Sequence, residues 1–213
     1  MEIKHMQTGN RLNTFFSAIF LINLDRRPER LEKVLPILNS AGFDNVLRFS
    51  AIDGKDFKYN GPLNAGQLGC TLSHLGIIKY AKEHNLESIF IIEDDVELAE
   101  NFNEVISKAL DELPSDWRLF YAGGNHMKAT TQLTNNLVKL NGTLTTHAYG
   151  IHSRFYDEII KTIESGYDKV IDVYYYMLHK DFPCYCTQPK VAFQAVGFSD
   201  LENRDVNYTS LNN

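Results

Sequence analysis

The stretch SIFIIEDDVEL, residues 88–98, runs from apolar residues of strand type straight into three consecutive carboxylates, Glu93, Asp94 and Asp95. Like charges that close repel one another, so the cluster costs energy unless something positive meets it. A short, continuous apolar run reads as a strand covered on both faces. If that strand continues to Asp95, Glu93 and Asp95 share a face and Asp94 points away. Three acids at such a tip either solvate a loop or gather around a hard divalent cation, which takes carboxylate and phosphate oxygens together.

Working outward, AIFLINL (18–24) is a second continuous apolar run of strand length. DRRPERLEKVLPILNSAGF (25–43) predicts a helix, with Pro28 suited to its first turn and Gly42 to its end. Pro36 inside it should kink or break the helix. NVLRFSAIDG (45–54) predicts a strand ending in a turn, and NAGQLGCTLSHLGIIKYAKEHN (64–85) a helix with Leu68, Leu72, Leu75 and Ile78 in one stripe. A helix over ENFNEVISKALDEL (100–113) and a strand over WRLFYAGG (117–124) follow. Strand–helix alternation of this kind implies an open, mostly parallel α/β sheet with helices on both faces. Beyond residue 124 the style changes. NLVKLNGTLTTHAYGI (136–151) predicts a hairpin at Asn141-Gly142, SRFYDEIIKTIESG (153–166) and VIDVYYYMLHK (170–180) helices, and CYCTQPKVAFQAVG (184–197) one or two strands.

The chain has 213 residues and a formal net charge of −6. That length supports a core without disulfide or metal staples, and the acidic balance argues against nucleic acid, which calls for a basic face. An acidic protein still binds anionic substrates when a metal ion sits between. Three cysteines make no disulfide framework; Cys184 and Cys186 would share a strand face as core thiols, or less simply serve metal or redox chemistry. The most apolar run, FFSAIFLINL (15–24), falls far short of the ~20 residues that span a bilayer and lacks signal-peptide features. The expectation is a cytoplasmic protein, in which the sequons at Asn141 and Asn207 mean nothing. Residues 1–14 read as a flexible arm, 15–200 as one domain (a nucleotide half, 15–124, and an acceptor half, 125–200), and 201–213 as a polar tail.

In open α/β sheets, ligands bind beyond the carboxyl ends of the parallel strands. IFIIEDD, INLDRR, SAIDG and FYAGG place acids, arginines and glycines at four such ends. IFLINLDRRPERLE, SAIDG, GQLGCTLSHLGIIKYA, FIIEDDVEL, YGI, VIDVYYYM and FQAVGFSDL also occur here in the order that resembles glycosyltransferase family 25, across roughly residues 18–201. That family includes lipooligosaccharide and procollagen galactosyltransferases. The most specific pairing is GCTLSH followed by EDD.

The resemblance implies a GT-A fold, a Rossmann-like nucleotide-sugar half with a smaller acceptor half. It implies inverting transfer of a hexose, galactose in most of the family, from a UDP-sugar to a glycan, lipid-linked saccharide or hydroxylysine. It further implies Mn²⁺ or Mg²⁺ on the diphosphate, with Asp95 as the best metal ligand and Glu93 or Asp94 orienting ribose, sugar or a metal-bound water. Asp25, Arg26 and Arg30 follow the first strand near the expected nucleotide, where arginine grips phosphate with two bonds. Asp53 would read the uracil ring, or is an ordinary turn aspartate. Ser73 and His74 would donate to sugar or diphosphate, or are structural. Gly123 and Gly124 would leave room for the donor sugar. Asp172, a lone acid among apolar residues, is the expected general base, with Asp200 in reserve; the alternative for Asp172 is a helix cap. The competing functional reading is an inactive or hydrolytic sugar-nucleotide-binding module. Peripheral membrane association and oligomeric state stay open.

Overall fold

The structure, a computed structural model, describes residues 10–207. In chain order its elements are α1 (Leu12–Phe15), β1 (Ala18–Asn23), α2 (Pro28–Ser40), β2 (Val46–Ser50), α3 (Ala65–Glu83), β3 (Ser88–Glu93), β4 (Val96–Leu98) and α4 (Phe102–Asp111). There follow β5 (Leu119–Tyr121), β6 (Asn125–His126), β7 (Thr131–Gln132), β8 (Leu137–Lys139), β9 (Thr143–Leu144) and β10 (Ala148–His152). The chain closes with α5 (Tyr156–Glu164), α6 (Ile171–Leu178), β11 (Cys184–Thr187), β12 (Ala192–Gln194), β13 (Gly197–Ser199) and β14 (Arg204–Val206).

One eight-stranded sheet, in the order β2-β1-β3-β10-β5-β11-β8-β7, forms the centre. β1 pairs parallel with β2 and β3, and β5 parallel with β11. β10 runs antiparallel between β3 and β5. The result is the open, mixed, mainly parallel sheet flanked by helices that the sequence predicts. Alternation explains how one strand feeds two layers. Ile89 and Ile91 of β3 face a core with α3, α5 and α6, while Phe90 and Ile92 face a core with α1, α2 and α4. All four are essentially unexposed, and each such side chain contributes about 1.5–3 kcal/mol of burial. No helix among the described residues is long and apolar enough to cross a membrane.

Several expectations need correction. Pro36 does not break α2, which continues as far as Ser40; its buried residues, Val34 and Leu38, flank the proline and anchor the helix on both sides of it. Asn141-Gly142 makes no hairpin: β8 pairs with β11 and β7, and β9 with β6. Neither residue adopts the positive φ that a tight hairpin turn demands. Within the expected flexible arm, residues 1–14, Leu12 lies in α1 and is fully buried, while residues 1–9 lie outside the described residues. The polar tail likewise holds β14, which pairs with β13 and buries Val206, up to the described limit at 207. A division at residue 124 does not follow the sheet either, since β10 sits between β3 and β5. Cys184 and Cys186 share one face and are buried free thiols.

The arrangement prepares one edge. β1, β2 and β3 end there at Asn23, Ser50 and Glu93, and the reversed β10 begins there, bringing Thr145–His147 alongside.

Candidate functional site

At that edge lies a cavity of about 200 Å³, lined by the loops after β1, β2 and β3, the start of α3, Thr145–Thr146, the start of α6, and residues 199–202. Seven carboxylates line it but only two arginines, Arg26 and Arg30. The negative excess is the first electrostatic fact about the site.

β3 ends at Glu93, and Asp94–Asp95 form a turn into β4. The expected face-sharing therefore fails. Glu93 turns toward α3, while Asp94 and Asp95 both turn toward α2. Arg30 spans the pair, 3.0 Å from Asp94 Oδ1 and 3.1 Å from Asp95 Oδ2. Asp94 also accepts from the Asn23 amide at 2.7 Å. Burial raises the Asp94 pKa, against the Arg30 charge. Asp95 is pushed up to about 7, by burial first and then by the charge of Glu93. Its Oδ1 is buried without a hydrogen-bond partner.

Glu93 behaves oppositely. Burial raises its pKa, but the hydrogen bond and charge of His74 and the Thr146 hydroxyl outweigh burial and hold it down at about 2. Its Oε1 takes the Thr146 hydroxyl at 2.7 Å and lies 3.2 Å from His74 Nε2. An ionised carboxylate only accepts, so Nε2 carries a proton. On the other side of the ring, Nδ1 lies 2.8 Å from the Tyr149 hydroxyl, which is 3.1 Å from that of Tyr175. A buried chain of four polar groups thus fixes Glu93.

Asp172 sits in the first turn of α6 but does not cap it; Val170 holds the cap position. Its Oδ2 accepts from the Thr145 N–H at 3.1 Å, while its Oδ1 is buried and unpartnered. Burial, and then the charge of Glu93, raise its pKa. Thr145 has φ of 76°, which a β-branched residue adopts at a cost, and its hydroxyl is also buried without a partner. Backbone strain of this kind collects at functional sites.

Asp200 is an ion-pair hub: Arg26 at 2.7 Å, Arg27 at 2.9 Å and Arg30 at 3.7 Å all meet it. With its carboxylate spent on arginines, it is poorly placed to act as a reserve base. Arg26 also holds Asp53 Oδ2 at 2.6 Å, while Asp53 Oδ1 caps the short turn at Gly54–Asp56. Asp53 therefore lines the cavity with both oxygens engaged.

Other expected residues stand elsewhere. Asp25 faces away from the cavity, tied to Arg48 at 2.5 Å and Ser50 at 2.7 Å. Gly123 and Gly124 are packing glycines: a Cβ on Gly123 would lie 1.9 Å from the Ala192 carbonyl oxygen, and one on Gly124 2.6 Å from the Thr143 methyl. Ser73 lines the cavity but spends its hydroxyl on structure, donating to the Gly69 carbonyl and accepting from the Ile52 N–H. Asn23, Thr146 and Tyr149 did not figure in the sequence reading. The only available signal was their place beside strand ends.

The residues present fit a hard divalent cation: uncompensated carboxylates, with one buried oxygen of Asp95 unsatisfied.

Procollagen galactosyltransferase 2 of Homo sapiens is 31% identical over 135 residues, 53% of this chain and 21% of that one. Its counterpart in Mus musculus is 30% identical over 149 residues, 59% of this chain and 24% of that one. The chain thus spans less than a quarter of these relatives' length. Among solved structures, A197 from STIV covers 89% of this chain and 92% of its own at TM-score 0.47 and 14% identity, too distant to carry an argument. The family model described as glycosyltransferase family 25 (LPS biosynthesis protein) matches residues 16–167. That span holds β1 through α5 with the EDD turn, and stops short of Asp172 and Asp200. A match over so much of the sheet and its acidic edge means that this chain belongs to glycosyltransferase family 25.

Proposed function

We propose that the chain moves a hexose, galactose by its kinship with the procollagen galactosyltransferases, from a UDP-sugar to a hydroxyl of a glycan, lipid-linked saccharide or hydroxylysine, with inversion and with a divalent cation. What carries this reading is one pairing: Asp95 and Asp172, which line the same cavity, each keep a buried carboxylate oxygen without a hydrogen-bond partner. Buried polar atoms are rarely left so. One suits a cation on the diphosphate, the other a proton.

Asp95 would hold Mn²⁺ or Mg²⁺, which would supply positive charge to the leaving diphosphate, with the Glu93 charge nearby adding to the pull on the cation. Arg26 and Arg30 would exchange Asp200 and the EDD acids for phosphate oxygens. Asp172 takes the proton of the acceptor hydroxyl as that oxygen attacks, its raised pKa suiting it to the task. Its bond to the Thr145 N–H leaves the free oxygen aimed by the backbone rather than by a rotamer alone.

A thermal-shift titration with UDP and UDP-sugars, with and without Mn²⁺, tests the reading. Binding at a hundredfold excess over Kd stabilises by about 2.7 kcal/mol. Mn²⁺-dependent stabilisation by UDP is expected in the wild type and absent in Asp95→Asn. Equal curves for the two proteins would remove the cation from Asp95. Donor hydrolysis without transfer to any acceptor would favour the hydrolytic binding module instead.

A further inference from the structure

The GCTLSH stretch holds a residue that sugar transfer leaves unused. Cys70 lines the cavity one helical turn before His74 on α3, so the two side chains share a face. The Cys70 Sγ, a His74 ring nitrogen and a Glu93 carboxylate oxygen all lie within 4.8 Å of one another. Around a single zinc ion, with bonds of about 2.0–2.3 Å, ligand atoms sit roughly 3.3–4 Å apart. Small side-chain adjustments close that gap.

The surroundings resemble those of a ligand set. A metal-bound histidine normally gives its second ring nitrogen to a fixed partner, and ligating carboxylates are hydrogen-bonded in turn. Here Nδ1 meets the Tyr149 hydroxyl at 2.8 Å, itself braced by Tyr175, and Glu93 Oε1 takes the Thr146 hydroxyl. The donor atoms also differ in kind from the all-oxygen EDD turn. Sulfur and imidazole favour zinc or cobalt over magnesium or manganese.

We propose that Cys70, His74 and Glu93 form a site for a borderline-soft divalent cation, zinc foremost, with three protein ligands and one position open to the cavity. The ion takes the Nε2 position now facing Glu93, the ring proton moves from Nε2 to Nδ1, and Nδ1–H donates to the Tyr149 oxygen while the Tyr149 hydroxyl hydrogen turns to Tyr175. The Cys70 thiol gives its proton to solvent. Because Glu93 belongs also to the acidic edge, zinc here opposes a hard cation at Asp95 and inhibits any transfer that needs one.

Cobalt titration of the full chain, reduced and under anaerobic conditions, reads the thiolate directly. Wild type should develop a near-ultraviolet thiolate-to-cobalt absorption that saturates at a single equivalent and is discharged by Zn²⁺. Cys70→Ser should lose the band, and Asp95→Asn should keep it. Tyr149→Phe should keep it with cobalt affinity lowered about 10- to 100-fold. No band in wild type, or an unchanged band in Cys70→Ser, overturns the site. Should Cys70→Ser fail to fold, alkylation of wild type mapped by peptide mass decides: Zn²⁺ must protect Cys70, and equal labelling with and without Zn²⁺ sinks the proposal. None of these readouts uses sugar transfer, so either reading falls without the other.

Discussion

At Asp172, one carboxylate oxygen rests on the Thr145 N–H and the other on nothing. Asparagine keeps the shape and cannot take a proton. Asp172→Asn should therefore lower kcat by about two to four orders of magnitude while UDP affinity and Tm hardly move. Near-normal turnover would remove Asp172 from the chemistry. Asp95 makes a different prediction, because burial and Glu93 raise its pKa to about 7 while an unfolded aspartate titrates near about 3.9. Between those values the folded state holds a proton that the unfolded state has lost. The stability this gives is complete below about pH 4 and is lost as pH rises through about 7. Metal-free Asp95→Asn, with no charge to bury, should thus melt above wild type at pH 8, the gap closing toward pH 4. Mn²⁺ affinity of the wild type should rise over the same pH climb. A variant that melts lower at pH 8 would contradict the assignment.

Among the elements, α3 shows how closely the site is fitted to backbone. Its Gly69 faces the loop after β2, where an added Cβ would lie 2.4 Å from the Ile52 carbonyl oxygen and 2.7 Å from the Gly54 nitrogen. Gly69→Ala must push that loop, and Asp53 with it, off the helix. Overpacking of this kind costs about 1–3 kcal/mol, so a lower Tm and weaker UDP binding should appear together. An unchanged melt would mean the loop yields freely. Much at this scale was legible beforehand. Continuous apolar runs announced β1 and β3, and Pro28 and Gly42 bounded α2; the capping box that Asn64 and Gln67 close at the start of α3 went unread. The misses came where local pattern and tertiary partner disagree. Asn141-Gly142 looks like a turn, yet Leu137, Val138 and Leu140 are drawn into the core by β11. Asp25 looks like a site acid, but Arg48 on the neighbouring strand takes it the other way. EDD was correctly placed at a tip, but alternation was extended two residues beyond the strand's real end, which reversed the roles of Asp94 and Glu93.

For the molecule as a whole, the decisive feature is the strand that arrives out of order. β3 and β5 are not neighbours in the sheet; β10 lies between them, with Gly150 paired to Phe90 on one side and Phe120 on the other. Residues 1–124 alone would leave β5 without any partner, since β11 also comes later. That fragment should show no cooperative thermal transition by circular dichroism, whereas the full chain should melt in one step. A cooperative melt in the fragment would mean that the first half is a folding unit. The same insertion has a consequence for birth. On a ribosome adding roughly 5–20 residues per second, the interval between finishing Glu93 and finishing His152 is on the order of 3–12 s. Throughout that time the inner edge of β3 stays unpaired on the nascent chain, a hydrophobic template open to chaperones or to a neighbouring polysome's product.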